Sequence, residues 1–223
     1  MRDSKYGKVL TVILAIVIIA IIVLLCFFGY DVYRKITTDR NASAVLDEFN
    51  ESINKVANEN VENSITEGEL VTPILNEELT EQTTSTGNKK VTYKGYNVVG
   101  TIEIPAINLK YPILERATVD SIELSVAVLY GPGPNQVGNT VIVGHNYRNG
   151  SFFGNNDRLK LGDKVYITDA SGTRIQYNIY NIYETTPDDS DYIERDTNGK
   201  REISLSTCTD NSKARLIIWA VEE

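Results

Sequence analysis

The chain has 223 residues and a mass of 24.9 kDa, with a formal net charge of −8 and an isoelectric point near 4.8. This length suits one globular domain with accessory segments. The acidic balance argues against nucleic acid as a partner, because the sequence offers no basic stripe to neutralise phosphates.

An uncharged apolar segment follows the first eight residues. Val9–Phe28 is rich in Ile, Val and Leu, and as a helix it would reach about 30 Å, the thickness of a bilayer core. The segment ends in Cys26-Phe-Phe-Gly-Tyr30, which lacks the small-residue cleavage pattern of a secretory signal. We therefore predict cytoplasmic residues 1–8, an uncleaved signal anchor over 9–28 that crosses the cell membrane once, and an extracellular remainder.

Residues 29–90 are predicted to form an extracellular stalk and linker. Apolar residues recur at helical spacing from Val45 to Ala57, which predicts an amphipathic helix. This helix serves either as a stalk or packs on the downstream domain, and a partner-binding or self-associating helix is the alternative. Residues 61–90 are acidic and Thr-rich, and such a segment buries too little apolar surface to offset its ordering entropy. We interpret it as a linker.

The pattern becomes β-rich from about residue 91. Short strand-like runs alternate with turn signals such as Gly131-Pro-Gly-Pro134 and Asn198-Gly199. Pro105 ends the first run, and Thr118 stands where it would cap a short helix over Val119–Leu124. The predicted strands are Val98–Ile104, Lys110–Leu114, Ala127–Tyr130, Thr140–Gly144, Lys164–Asp169, Arg174–Glu184, Glu202–Thr207 and Arg215–Trp219. About eight short strands with few helices predict a mainly β domain over 91–223, closed into a barrel.

Three residues with reactive side chains stand at the ends of these runs. His145 is the only histidine, Cys208 is the only cysteine outside the apolar segment, and Arg215 opens the last run. A thiol reacts as its thiolate, so a neighbouring base or cation is needed. The oxygen of an attacked carbonyl gathers negative charge, and arginine is a rigid, permanently charged donor for it. The pattern therefore predicts one Cys-His-Arg site suited to acyl transfer through a thioester.

The motifs around these residues resemble those of a known family. Ser204-Leu-Ser-Thr-Cys208 resembles the sortase signature (Thr/Ser)-Leu-x-Thr-Cys, and Gly144-His145 at the end of an apolar strand is similar to the sortase histidine motif. The strand that Arg215 opens matches the third catalytic element, and Gly100-Thr-Ile-Glu-Ile-Pro-Ala-Ile107 resembles the strand that opens sortase catalytic domains. The resemblance covers roughly 91–223, in the family's order.

The resemblance implies a closed eight-stranded sortase-like β-barrel and a membrane-anchored cysteine transpeptidase. Cys208 would be the nucleophile that forms the thioester, His145 the general acid and base, and Arg215 the donor to the oxyanion. The three residues before the nucleophile are expected to support the site and the substrate: Leu205, Ser206 and Thr207.

The family also implies partners for the reaction. These are exported proteins that carry a C-terminal sorting signal of Leu-Pro-x-Thr-Gly type, and an amine acceptor from a cell-wall precursor or a pilin of a Gram-positive bacterium. Within the family, a compact A-, D- or E-like sortase class is favoured over the B and C classes. Residues 185–201 leave little room for the helical insertion of the B class, and residues 31–90 lack the Asp-Pro-aromatic lid motif of the C class.

Acidic residues crowd the loop before the cysteine strand: Asp188, Asp189, Asp191 and Glu194. Carboxylate oxygens are the ligands that Ca²⁺ prefers. A solvated loop is nevertheless the favoured interpretation, so we expect no required cofactor and keep Ca²⁺ as the less favoured alternative.

Two other functions remain open at this point. A cysteine hydrolase would use the same nucleophile but release a free acid to water, and it would normally place an Asn or Asp against the histidine. A catalytically inactive, membrane-anchored interaction domain is the second alternative.

Overall fold

The computed structural model describes residues 3–65, 90–209 and 212–223, with the side chains of 3–5 and 56–65 left aside. The chain begins with one continuous helix, α1, over Asp3–Ile65. The sequence predicted an apolar anchor and a separate amphipathic helix, but no proline lies between them to break the backbone hydrogen bonds. Of the predicted linker, residues 61–65 belong to α1, and 66–89 lie outside the described residues.

Nine strands follow in the described part of the chain. They are β1 Thr92–Tyr93, β2 Tyr96–Ile104, β3 Leu109–Leu114, β4 Val126–Tyr130, β5 Gly138–Val143, β6 Lys164–Asp169, β7 Arg174–Thr185, β8 Arg201–Cys208 and β9 Arg215–Glu222. Each of the eight predicted strands is present, with bounds that differ by at most three residues. The two-residue β1 was not predicted, because so short a segment shows no alternation of polar and apolar residues.

The strands close into a barrel. Their order is β1-β2-β3-β4-β5-β8-β9-β7-β6, and β6 pairs back onto β2, so eight strands form a ring that β1 extends. Strands β3 and β4 pair in parallel, as do β5 and β8, while the other neighbours are antiparallel. The interior is filled by side chains that are completely buried, among them Ile102, Ile113, Ile142, Ile167, Leu205 and Ile218. The structure thus confirms the predicted closed, mainly β fold.

A one-turn helix, α2 over Val119–Ile122, precedes β4. Thr118 caps it as predicted: its side chain accepts a hydrogen bond from the Ser121 N–H at 3.0 Å, and the Ser121 hydroxyl accepts one from the Thr118 N–H at 2.7 Å. The helix ends two residues earlier than predicted. The helix ends there because the backbone N–H groups of Leu124 and Ser125 both donate to the Ser121 carbonyl, and these two hydrogen bonds close a turn.

The first half of α1 presents apolar side chains to the surroundings. The large apolar residues between Val9 and Phe28 are all exposed. Within the described residues, α1 contains the one segment that is long and apolar enough to cross a membrane. Its length and composition make this segment a candidate membrane span, as predicted.

The second half of α1 packs against the barrel. Four of its apolar residues are buried there: Ala42, Val45, Leu46 and Phe49. Val45 and Phe49 share an apolar cluster with residues of β1, β2, β3 and β4. On the same face Asp39 accepts a hydrogen bond from the Tyr111 hydroxyl at 2.7 Å. Of the roles left open for this helix, packing on the downstream domain is the one observed.

Candidate active site

The backbone register brings the three predicted residues to one rim of the barrel. In the parallel β5–β8 pair, Val143 lies opposite Ser206. His145 follows the end of β5 by two residues, and a hydrogen bond from the Gly144 N–H to the Ser206 carbonyl at 3.3 Å extends the pairing towards Cys208 at the end of β8. In the antiparallel β8–β9 pair, Cys208 is the direct partner of Arg215. Three neighbouring strands therefore deliver a thiol, an imidazole and a guanidinium to the same place.

Cys208 and Arg215 contact each other through their side chains. Arg215 Nη1 lies 4.0 Å from Cys208 Sγ in donor geometry, and Arg215 Nε donates to the carbonyl oxygen of Pro187 at 3.3 Å. The second bond holds the guanidinium in place. From that position the guanidinium can donate to the sulfur or to an oxygen on the carbon that the sulfur attacks.

Hydrogen bonds tie the loop after β5 to the end of β8. Thr207, which is 3% exposed, donates from Oγ1 to the Gly144 carbonyl at 2.7 Å. Asn146 donates from Nδ2 to the Cys208 carbonyl at 2.9 Å. Gly144 also packs closely on β4. A Cβ atom at position 144 would lie 2.9 Å from Val126 Cγ1, so a larger residue would push the loop away from that strand. The two hydrogen bonds hold the backbone of the loop that carries His145 against the end of β8.

The two other predicted supporting residues lie inside the protein. Leu205 belongs to the barrel core and is completely buried. Ser206 is 1% exposed, and its hydroxyl has no hydrogen-bond partner among the described residues. Both therefore contribute to the packing of β8, whereas Thr207 contacts the histidine loop directly.

His145 has a carboxylate neighbour that the sequence did not predict. Its Nε2 lies 3.1 Å from Glu123 Oε1, although the two atoms are not aligned as a hydrogen bond. The imidazole also packs on Tyr147, with the ring centroids 5.1 Å apart, and the Tyr147 hydroxyl donates to Glu123 Oε2 at 2.5 Å. Burial and then this hydrogen bond raise the pKa of Tyr147 to about 12. The hydroxyl therefore stays protonated and remains a donor at neutral pH.

Helix α1 reaches the same cluster. Arg34 Nη2 donates to the Tyr147 hydroxyl at 3.1 Å and lies 3.4 Å from Glu123 Oε2. The guanidinium also covers the Tyr147 ring, 4.4 Å from its centroid. Neither Arg34 nor Glu123 belongs to a motif, and no local signal identifies them in the sequence.

The acidic loop predicted as a possible Ca²⁺ site lies between β7 and β8. Asp189 accepts hydrogen bonds from the Thr185 hydroxyl and, at 2.8 Å, from the Asp191 N–H. Glu194 accepts one from the Tyr130 hydroxyl at 2.9 Å. Across the described residues, no three His, Cys, Asp or Glu side chains are grouped so that they could hold a metal ion. Independence from Ca²⁺ stays a prediction.

The fold and the site together define a closed eight-stranded β-barrel that carries a Cys-His-Arg cluster at one rim. A model of the Sortase domain matches residues 102–223, which is more than half of the chain. The chain belongs to the sortase family.

Individual relatives agree with this assignment. The chain is 35% identical over 127 residues to Sortase A of Bacillus anthracis, a match that covers 54% of this chain and 58% of that protein. It is 34% identical over 136 residues to Sortase A of Streptococcus agalactiae serotype III, covering 55% of this chain and 52% of that protein. The matches therefore span little more than half of each relative.

A solved structure resembles a larger part of the chain. It is that of a Clostridium perfringens Sortase D5 transpeptidase, which is 25% identical with a TM-score of 0.60. The superposition covers 82% of this chain and 99% of the other. This likeness supports the sortase-like barrel.

Proposed function

We propose that the protein is a membrane-anchored cysteine transpeptidase that acts on exported proteins. The observation that supports the proposal is the pairing of Cys208 with Arg215 across β8 and β9, next to β5, whose end His145 follows by two residues. Membership of the sortase family and the likeness to a Sortase D5 transpeptidase support it. The candidate span in α1 supports attachment to the membrane, with the barrel on the outer side.

The reaction begins with acylation of the thiol. Cys208 Sγ, as thiolate, attacks the carbonyl carbon of the scissile peptide bond in a Leu-Pro-x-Thr-Gly-like sorting signal, after the Thr. Arg215, which already lies 4.0 Å from the sulfur, donates to the oxyanion that forms. His145 gives a proton to the leaving amine as the carbon–nitrogen bond breaks, and the thioester remains.

An amine then resolves the thioester. The amine attacks the same carbonyl, His145 takes its proton, and the carbon–sulfur bond breaks to regenerate the Cys208 thiolate. A bound, oriented amine has a large effective concentration relative to a free one, which favours amide formation over hydrolysis. The proposed acceptor is an amine of a cell-wall precursor or of a pilin.

A compact A-, D- or E-like class is proposed. Residues 186–200, which the structure describes throughout, form turns and contain no helix between β7 and β8. That segment therefore holds no helical insertion of the B-class type. The likeness to a Sortase D5 over most of the chain agrees with a compact class.

A cysteine hydrolase is the second candidate, and one observation favours it. Glu123 stands 3.1 Å from His145 Nε2, which is the kind of carboxylate partner that a hydrolytic Cys-His pair uses. The two candidates differ in the product: a hydrolase releases only the free acid.

Product masses test the proposal. The full chain in detergent micelles is incubated with Leu-Pro-x-Thr-Gly peptides, with and without oligoglycine or a diamino-acid peptide, and Cys208→Ala serves as the blank. We expect the amine to divert the product from acid to amide. Free acid across the whole amine panel would establish the hydrolase instead. An absence of both products, with a thiol that resists alkylation, would indicate an inactive interaction domain.

A further inference from the structure

We propose that Glu123 is a positioning residue for His145, and that Arg34 of α1 holds Glu123, so that the N-terminal helix completes the active site. The proposal rests on the transpeptidase function given above. It assigns to α1 a role in the reaction beyond that of an anchor.

Glu123 stands on a rigid support. It is the C-cap residue of α2, whose other end is closed by the capping box of Thr118 and Ser121. Ser121 is completely buried, and its hydroxyl also donates to the Arg116 carbonyl at 2.8 Å. A turn held in this way has few alternative conformations, so the position of the Glu123 backbone is well defined.

The two carboxylate oxygens of Glu123 have different partners. Oε1 faces Nε2 of His145 at 3.1 Å, and Oε2 accepts from the Tyr147 hydroxyl at 2.5 Å. Nε2 is itself shielded from solvent. A carboxylate beside Nε2 restrains the orientation of the imidazole through its charge, and Tyr147 packs on the same ring with the centroids 5.1 Å apart. Glu123 thus orients the imidazole without contacting the substrate.

Arg34 restrains the carboxylate from the other side. Its Nη2 lies 3.4 Å from Glu123 Oε2 and 3.1 Å from the Tyr147 hydroxyl, and its guanidinium stacks on the Tyr147 ring. Arg34 reaches this point because α1 is docked on the barrel by Phe49 and by the bond between Asp39 and Tyr111. The helix and the catalytic histidine are therefore linked through one carboxylate.

The exposure of these groups sets the size of the effect. The side chains of Arg34, Glu123 and His145 are 43%, 49% and 33% exposed. Ion pairs at such exposure are weak, so we expect Glu123→Gln to lower kcat about fivefold, and Arg34→Gln to lower it about twofold. KM should stay unchanged in both variants, because neither residue binds the substrate.

A double-mutant cycle on the full chain in detergent micelles tests the link. If Arg34 acts through Glu123, the double variant Arg34→Gln/Glu123→Gln is no slower than Glu123→Gln alone. Arg34→Lys should recover part of the loss because the charge is kept. The matched control is Glu103→Gln, which removes a comparable ion pair with Arg174 (3.1 Å) on β2 and β7 and should leave kcat unchanged.

A spectroscopic readout separates this proposal from the proposed function. His145 is the only histidine, so ¹⁵N-histidine labelling gives one imidazole in the spectrum of the full chain. Glu123→Gln and Arg34→Gln should shift its Nε2 resonance, whereas Glu103→Gln should not, and this holds even if no peptide is turned over. An unchanged resonance and unchanged kcat in Glu123→Gln would overturn the positioning role. Strictly additive losses in the cycle would overturn the part assigned to Arg34.

Discussion

Two groups of residues surround His145 and are built in different ways: a strand side, formed by Cys208 and Arg215, and a helix side, formed by Glu123 and Arg34. On the strand side Cys208 and Arg215 are partners in a backbone ladder, and the nearby Thr207 is buried. On the helix side Glu123 and Arg34 come from separate helices, and each is nearly half exposed. A ladder fixes positions through many cooperating hydrogen bonds, whereas an exposed ion pair contributes about 0.2–1 kcal/mol. The strand side is therefore expected to perform the chemistry, and the helix side to adjust it.

The largest effect is expected when the strand side loses its reactive groups. Cys208→Ala and His145→Ala should each abolish transpeptidation while the far-UV circular dichroism stays that of a folded barrel, because the chain has no second imidazole and its other thiol lies in the apolar segment. Cys26→Ala is the matched control and should retain full activity, since Cys26 is exposed on the apolar part of α1. Turnover by a pure Cys208→Ala protein would refute the thioester mechanism.

Replacement of the guanidinium should have the next largest effect. Arg215→Lys keeps the charge but loses the planar fork that donates to the oxyanion. Loss of one preorganised donor costs about 10²–10³ in rate, and we expect a fall in kcat of that size. Arg174→Lys, at an ion pair on the outside of the barrel, is the control. Near-normal kinetics of Arg215→Lys would show that Arg215 lies outside the reaction.

Loss of the hydrogen bond that supports the histidine loop should lower kcat less than loss of the guanidinium. Thr207→Val removes the donor to the Gly144 carbonyl, and a buried unsatisfied group costs about 1–3 kcal/mol, so the free energy of unfolding in urea should fall by that amount. A misplaced His145 should lower kcat about tenfold, equivalent to about 1.4 kcal/mol in the barrier. Thr92→Val, at an exposed position on β1, should change neither quantity. Unaltered stability of Thr207→Val would argue against this hydrogen bond.

Undocking of α1 tests the helix side alone. Phe49→Ala should cost about 3–5 kcal/mol of stability because it empties a buried site, and limited proteolysis should detect the loosened helix. The kcat should fall only about twofold, as for Arg34→Gln, because just the exposed contacts are lost. Phe28→Ala, at an exposed position of α1, is the control. A loss as large as that of Arg215→Lys would mean that the two sides are not separable.

The smallest effect is expected from removal of metal. Chelation with EDTA should leave the rate unchanged, since Asp189 and Glu194 have their own hydrogen-bond donors. A rate that falls with EDTA and returns with Ca²⁺ would assign a metal site to the acidic loop.

The sequence alone was enough for most of the barrel and for the strand side of the site. Strands such as β6 alternate or cluster their apolar residues between turn signals, and both are local patterns. His145, Cys208 and Arg215 could be placed together because each stands at a strand end within a short, recognisable motif. The continuity of α1 was missed because its two halves were predicted from different patterns, an unbroken apolar run and an amphipathic repeat.

The helix side was decided by the tertiary structure. Arg34, Glu123 and His145 are far apart in sequence, and they meet only because α1 docks on the barrel and α2 ends at Ile122. That docking depends on the combined burial of residues such as Val45 and Phe49 in a cluster drawn from four strands. Contacts of this kind follow from the packing of complete elements, for which no local pattern of residues exists. Local patterns thus predicted which groups react, and long-range packing determined which groups lie against His145.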